Sequence, residues 1–127
     1  MSEPITRKFR VTAIRQADCS GVGVEEYTGK GDDVGIIAIH SIYYQQRLSN
    51  RDLCIAVIQY VKSLLESVET AVIRASNMRV KYGWTKQYSP RISTRQESYK
   101  AGFNDVYKLA NDAIKRRGTI TERLSET

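Results

Sequence analysis

The longest regular pattern in this sequence is a stripe of apolar residues between Ser49 and Met78. Its members recur every three or four positions: Leu53, Val57, Val61, Leu64, Val68 and Val72. This spacing forms one stripe along a helix of about 3.6 residues per turn. Ser49 and Asp52 resemble a capping box at the start, and Gly83 follows at a position suited to a left-handed C-cap. The pattern therefore predicts one long central helix.

The residues before this helix alternate between apolar and polar, which is typical of half-buried strands. The stretch 8–14 places Phe9, Val11 and Ala13 on one face, and the stretches 22–27 and 34–44 are the second and third predicted strands. Gly21 and Gly23 are interpreted as turn and bulge positions. Short connections between these stretches favour antiparallel pairing, so we expect a three-stranded meander.

A second helix is predicted near the end of the chain. Thr94 and Glu97 have the spacing of a capping box, apolar residues recur from Tyr99 to Ala113, and Gly118 supplies a stop. The predicted fold class is α+β: a three-stranded antiparallel β-meander followed by two long amphipathic α-helices packed on the sheet. We expect one domain over residues 1–118 and a flexible C-terminal tail over residues 119–127.

The overall composition is that of a globular chain. Its 127 residues are 41% hydrophobic and 27% charged. No apolar run approaches the roughly 20 residues of a membrane span, and the first residues lack the apolar core of a signal peptide. We therefore expect a cytoplasmic protein with no membrane partner. Cys19 and Cys54 lack metal or redox spacing, which predicts two free thiols.

Positive charge is concentrated between residues 74 and 100. Seven cations lie there against Glu97 alone, so this stretch accounts for the whole net charge of +6. Lys and Arg neutralise phosphates and aromatic rings stack on bases, which favours a nucleic-acid or nucleotide surface. An acidic protein partner explains the charge equally well, and a solvated surface without a partner is the third interpretation. The predicted binding residues are Arg74, Arg79, Lys81, Tyr82, Trp84, Lys86, Tyr88, Arg91 and Arg95.

No set of residues predicts a reaction. His40 is the only histidine, and a single strand histidine is more typical of a packed residue than of a catalytic base. Glu25 and Glu26 are neighbours on a predicted strand, so they point to opposite faces and cannot easily share a metal. The sequence therefore predicts no enzyme, no catalytic residue, no metal and no cofactor.

One segment carries a resemblance to a known family. Residues 92–103 read I-S-T-R-Q-E-S-Y-K-A-G-F, with Val106 following. Its spacing of Arg95, Glu97, Tyr99, Gly102 and Phe103 resembles the C-terminal half of phage and prophage proteins in family 2786 of domains of unknown function. The resemblance spans about residues 34–115. It implies a viral or mobile-element origin and assigns no catalytic residues.

These observations lead to one main functional hypothesis and two alternatives. The main one is a small non-enzymatic phage or mobile-element protein, a host-directed regulatory or counter-defence protein that engages a host macromolecule through its basic and aromatic face. The alternatives are a nucleic-acid-binding module and a sequestering protein for a small anionic cyclic nucleotide. Because one helix layer would not hide both faces of the predicted sheet, we also expect a homodimer or higher homo-oligomer.

Overall fold

Six strands form one mixed sheet in this computed structural model, which describes residues 6–29, 34–80, 86–87, 89–98 and 101–124. The sheet order is β5-β4-β1-β2-β3-β6. The two longer helices, α1 and α2, lie on its opposite faces, and a 3₁₀ turn over Ala101–Phe103 precedes α2. The elements are β1 Thr6–Arg15, β2 Ser20–Thr28, β3 Gly35–Tyr44, α1 Asn50–Leu64, β4 Thr70–Ser76, β5 Ile92–Gln96, α2 Asn104–Arg116 and β6 Ile120–Arg123.

The sheet has an antiparallel half and a parallel half. Strands β1, β2, β3 and β6 pair antiparallel, whereas β4 pairs parallel to β1 and β5 parallel to β4. A parallel neighbour requires a crossover connection, and α1 carries the chain from β3 across the sheet to β4. Strand β1 therefore lies at the centre, between the two halves.

Helix α1 forms the main core with one face of the sheet. The side chain of Ser49 accepts a hydrogen bond from the Asp52 backbone N–H at 3.1 Å, as expected for an N-cap. The buried stripe of α1 includes Leu53, Val57 and Val61, and it packs on buried residues of β1, β2 and β4. The largest fully buried side chains of this core are Phe9, Val11, Val22, Val24, Leu53, Val57, Ile58, Val61 and Ile73.

Helix α2 covers the other face at unusually close range. A Cβ at Gly23 would lie 2.9 Å from the carbonyl carbon of Val106, and one at Gly21 would lie 2.8 Å from Cγ1 of Ile114. The two glycines therefore form a smooth strip on which the backbone of α2 rests. Their interpretation as turn and bulge positions is wrong, because both lie inside β2 and pair regularly with β1.

The predicted fold class is wrong, although its three strands occur at the predicted places as β1, β2 and β3. The central helix ends at Leu64 instead of continuing to Met78. The chain then turns and enters β4, where Ala71, Ile73 and Ala75 are buried at alternate positions. The apolar spacing of the helix therefore continues past its end into the turn and β4 only by coincidence. Val68, which the pattern placed on the buried stripe, is 70% exposed.

The start of the second predicted helix is wrong for a similar reason. Residues Ile92–Gln96 form strand β5, in which only Ile92 is buried, and α2 begins ten residues after Thr94, at Asn104. The predicted C-terminal tail contains β6, whose four residues pair with β3. All four of its side chains are exposed, which explains why the sequence carries no core signal there.

Cys19 and Cys54 are both buried, and neither takes part in a disulfide bond. Among the described residues, no helix is both long enough and apolar enough to cross a membrane.

Candidate functional site

A broad cleft of about 1160 Å³ lies on the face of the sheet that carries α2. Helix α2 packs on β2, β3 and part of β1, and the outer part of this face is more open, with Ser93 and Arg95 of β5 exposed. Lys8, Arg10, Arg74 and Arg95 line the cleft together with Tyr27 and Glu97. Four cations therefore share one concave surface.

Three of these cations form a row across adjacent strands. Arg10 of β1 is the register partner of Arg74 of β4, and Arg74 is the register partner of Arg95 of β5. Partners in register point to the same side of a sheet, and neighbouring strands lie about 4.8 Å apart. We call Arg10, Arg74 and Arg95 the arginine row; it runs perpendicular to the strands from the centre of the sheet to its edge.

Arg10 is the most enclosed member of the row. Its guanidinium lies 4.5 Å from the centroid of the Tyr27 ring, and its Nη1 donates to the Gly102 carbonyl at 3.0 Å. The same nitrogen lies 3.6 Å from the carboxylate of Glu25. Burial raises the pKa of Glu25 above its usual value, while the charge of Arg10 acts in the opposite direction. Arg10 is therefore held in place by contacts from β2 and the 3₁₀ turn.

Arg74, in the middle of the row, is engaged by a carboxylate. Its Nε and Nη2 donate to the two carboxylate oxygens of Glu97, the second at 2.7 Å. Its Nη1 donates to the hydroxyl of Tyr27 at 3.3 Å. These hydrogen bonds raise the pKa of Arg74, a side chain that is charged at physiological pH in any case. The pair is partly open to solvent, with the Arg74 side chain 37% exposed.

The remaining two cations are less constrained. Arg95 is exposed on β5 and forms no salt bridge with a carboxylate of the described residues. The ammonium of Lys8 donates to the Gly29 carbonyl at 3.1 Å. Among the described residues that line the cleft, Glu97 is the one carboxylate against four cations, so this lining carries a positive balance and suits an anionic ligand.

The structure divides the residues that the sequence grouped into one basic patch. Arg74 and Arg95 lie in the arginine row. Arg91 instead donates to the backbone carbonyls of Glu66 and Glu69, at 2.7 and 3.3 Å, and so ties β5 to the α1–β4 connection.

The other predicted residues lie elsewhere or cannot be placed. Arg79 and Lys86 are exposed, and neither lines the cleft. Arg79 follows the carboxyl end of β4, where its backbone N–H donates to Asn50 at 2.8 Å. Lys81, Tyr82, Trp84 and Tyr88 lie outside the described residues. A single continuous patch over residues 74–100 thus remains a prediction.

Lys8 and Arg10 were missed because the charge count considered only residues 74–100. The signal that could have found them is the alternation of β1. Its apolar residues occupy one face, so the intervening Lys8, Arg10 and Thr12 must share the other. Parallel pairing with β4 then brings Arg10 beside Arg74. That pairing is a tertiary property, and the local sequence pattern did not contain it.

Glu25 and Glu26 are adjacent in the sequence but lie on different sides of the sheet. As predicted, Glu25 and Glu26 point to opposite faces, because Glu25 lies beside Arg10 and Glu26 binds Arg7 on the α1 side. Among the described residues, no group of three or more His, Cys, Asp or Glu side chains could hold a metal ion.

Where the pairing of β1 with β4 ends, at Thr12 and Ser76, the facing groups are hydroxyls. The Thr12 hydroxyl donates to the Ser76 carbonyl at 3.0 Å, and the Ser76 hydroxyl donates to Thr12 at 3.1 Å. Both residues are fully buried. Carboxyl ends of parallel strands are frequent ligand sites in α/β sheets, and here these two side chains bind each other.

His40 is a packed residue, as the sequence predicted. It is 3% exposed, and its Nδ1 lies 2.7 Å from the Tyr60 hydroxyl and 3.2 Å from the Thr121 hydroxyl. Burial lowers the pKa of His40 below its usual value. It lies on the α1 side of the sheet, away from the cleft.

Comparison with solved structures finds ribonuclease H domains of similar fold. The fold is that of ribonuclease H. RNase H1 from the halophilic archaeon Halobacterium salinarum NRC-1 matches with a TM-score of 0.55 and 12% identity, over 87% of this chain and 98% of that chain. LC11-RNase H1, solved in complex with an RNA/DNA hybrid, matches with a TM-score of 0.56 and 12% identity over the same shares.

A third similar structure is a domain of a larger protein. The foamy viral protease-reverse transcriptase, also in complex with an RNA/DNA hybrid, matches with a TM-score of 0.58 and 14% identity, over 84% of this chain and 19% of that chain. No protein-family model and no curated protein sequence matches this chain. The resemblance to family 2786 therefore stays a prediction.

These matches correct the functional hypotheses. The main hypothesis of a host-directed counter-defence protein is wrong, because the similar structures are ribonuclease H domains, which favour the nucleic-acid alternative. The likeness also gives no support to the prediction that the chain is not an enzyme, since ribonuclease H is an enzyme family. Nothing in it supports self-association.

Proposed function

We propose that this chain is a nucleic-acid-binding domain built on a ribonuclease H fold, with the arginine row and Lys8 as its phosphate-binding surface. The observation that carries the proposal is the register of Arg10, Arg74 and Arg95 across three adjacent strands that line one cleft. Guanidinium groups donate in a planar fork that matches phosphate oxygens.

The ligand class that fits best is a duplex contacted through its backbone. Recognition of single strands depends on bases stacking on open aromatic rings. In the cleft, however, the Tyr27 ring is buried and lies against the guanidinium of Arg10. Phosphate contacts alone position a duplex without reading its sequence. We therefore expect little sequence preference, and an RNA/DNA hybrid is the first ligand to test because two similar structures contain one.

We further propose that the chain binds the duplex without cutting it. Metal-assisted hydrolysis of phosphodiesters uses carboxylates to hold the metal ions. The described part of the chain offers no cluster of that kind, and the hydroxyls of Thr12 and Ser76 meet where β4 ends against β1. Binding without cleavage agrees with a site made of cations.

Fluorescence anisotropy with labelled duplexes of equal length tests this function. We expect binding to an RNA/DNA hybrid that weakens steeply as salt rises, since phosphate contacts release counterions. Arg95→Gln should weaken binding roughly fivefold and reduce the salt slope by about 1. Lys62→Gln, which removes one charge from an exposed position on α1, is the matched control. Equal effects of the two variants, or no binding at 50 mM salt, would contradict the proposal.

Incubation of the labelled hybrid with Mg²⁺ or Mn²⁺ tests the second part. The expected outcome is intact RNA at protein concentrations that saturate binding. Metal-dependent cleavage that co-purifies with the wild-type chain and is lost with Arg95→Gln would show an active nuclease and overturn the non-cleaving proposal.

A further inference from the structure

Glu97 holds the guanidinium of Arg74 in the way that a phosphate would. It uses both carboxylate oxygens, one on Nε and one on Nη2, which is the bidentate geometry by which Arg recognises planar or tetrahedral oxyanions. The contact lies in the cleft, between Arg10 and Arg95 in the arginine row. The carboxylate of Glu97 is thus bound to Arg74, the central cation of the proposed phosphate-binding surface.

A second bidentate pair shows what a purely structural contact looks like in this fold. Arg7 binds both oxygens of Glu26 at 2.7 Å, and its Nη1 also donates to Glu69 and to the Leu64 carbonyl. Its side chain is 19% exposed and that of Glu26 is 6% exposed. Arg7 therefore joins β1, β2 and the α1–β4 connection, and an incoming anion would have to break several buried contacts.

The Arg74–Glu97 pair differs in two respects. Its side chains are 37% and 17% exposed, so the bridge can be reached from solvent. Glu97 also lies directly after β5, at the edge of the sheet, where its backbone N–H donates to the Ala75 carbonyl. The side chain can turn away while its backbone stays paired. A partly exposed ion pair is also a weak one, because solvent screens it.

We infer that Arg74 is a phosphate subsite that Glu97 occupies in the free protein, so that a backbone phosphate binds by displacing the Glu97 carboxylate. The inference rests on the proposed function. Exchange of one oxyanion for another leaves Arg74 paired throughout: the incoming phosphate loses water, and the released Glu97 carboxylate regains it. Glu97 then lowers the affinity for every polyanion, and favours ligands that present several phosphates at once over a single free anion.

Glu97→Gln tests the subsite, because it keeps the shape of the side chain and removes its charge. We expect the affinity for the labelled hybrid to rise about threefold to tenfold at low salt, and the salt slope to steepen by nearly one ion. Glu122→Gln is the matched control, since it removes the same charge on β6 at the opposite edge of the sheet. An equal gain in both variants would show a general charge effect and overturn the inference.

The double variant Arg74→Gln/Glu97→Gln tests whether the higher affinity of Glu97→Gln for the hybrid depends on Arg74. If Glu97 competes for Arg74, the gain from Glu97→Gln disappears when Arg74 is already Gln. A gain of the same size in both backgrounds would overturn the inference. Thermal melts of each variant verify folding, which we expect to be retained because both side chains are partly exposed.

An NMR titration with inorganic pyrophosphate, followed at the Arg74 Nε–H resonance, tests the subsite independently of duplex binding. Titration of Glu97→Gln should shift that resonance at lower pyrophosphate concentration than titration of the wild-type chain, whether or not any duplex binds. Hybrid binding without a change at Arg74 in either protein would refute the subsite and leave the proposed function intact. A shift without duplex binding would refute the proposed function and leave the subsite.

Discussion

The guanidinium of Arg10 lies over the ring of Tyr27, 4.5 Å from its centroid, and the hydroxyl of the same tyrosine accepts a hydrogen bond from Arg74 at 3.3 Å. One buried side chain from β2 therefore orients two neighbouring members of the arginine row. Because the two arginine side chains are already held in place, they lose less conformational entropy when an anion binds. It also explains a buried tyrosine at the base of a charged cleft.

Replacing Tyr27 should therefore weaken anion binding without removing any charge. We expect Tyr27→Leu to lower the affinity for a duplex about threefold to tenfold, because a cation–π contact contributes on the order of 0.5–2 kcal/mol. Tyr27→Phe keeps the ring and loses only the contact to Arg74, so its effect should be smaller. Anisotropy titrations of the three proteins give the order. Equal affinity of wild type and Tyr27→Leu would show that the ring does not organise the site.

The close approach of α2 to β2 makes a second prediction, which concerns stability. Gly23→Ala places a Cβ 2.9 Å from the carbonyl carbon of Val106, so the helix must move away from the sheet. We expect the free energy of unfolding to fall by roughly 1–3 kcal/mol, the usual cost of overpacking. Gly35→Ala is the control, since its Cβ would meet its nearest neighbour, Thr28, at an ordinary 3.5 Å. Urea denaturation of both variants measures the difference, and equal midpoints would disprove the packing argument.

His40 predicts a dependence of stability on pH. Burial lowers the pKa of His40 in the folded chain, whereas the unfolded chain titrates near the usual value of about 6.5. Below that pH the unfolded state binds a proton that the folded state does not, so the stability contributed by neutral His40 is present above about pH 6.5 and is lost as the pH falls.

Melting temperatures between pH 8 and pH 5 measure this loss. The wild-type chain should lose stability over the lower half of that range, and His40→Gln, whose amide can still form a hydrogen bond with the Tyr60 hydroxyl, should lose less. A parallel decline in both proteins would assign the pH dependence to other groups.

The strands and the start of α1 were predictable because their signals are local. Alternation placed Phe9, Val11 and Ala13 on the core face, and the Ser49 cap marked the beginning of α1 correctly. Each of these features depends on residues within a few positions of one another. The same is true of the opposite faces of Glu25 and Glu26.

The parallel half of the sheet was not predictable in the same way. Strand β4 continues an apolar spacing that also fits a helix. Thr94 in β5 and Glu97 directly after it have the spacing of a helix cap. Both segments become strands because β1 offers a free edge, to which β4 and then β5 add. Tertiary pairing thus overrode the local pattern. Since the arginine row exists only through that pairing, the sequence yielded Arg74 and Arg95 without Arg10.

The two bidentate ion pairs make a final prediction, because they differ in burial. Arg7→Gln leaves Glu26 without its partner at 6% exposure, and breaking a buried pair in this way costs about 3–5 kcal/mol. Arg74→Gln breaks a pair that is 37% and 17% exposed, for which about 1 kcal/mol or less is expected. Urea denaturation should therefore show a large loss for Arg7→Gln and a small one for Arg74→Gln, whereas duplex affinity should fall for Arg74→Gln. The reverse order of stabilities would mean that Arg74 serves the fold rather than a ligand.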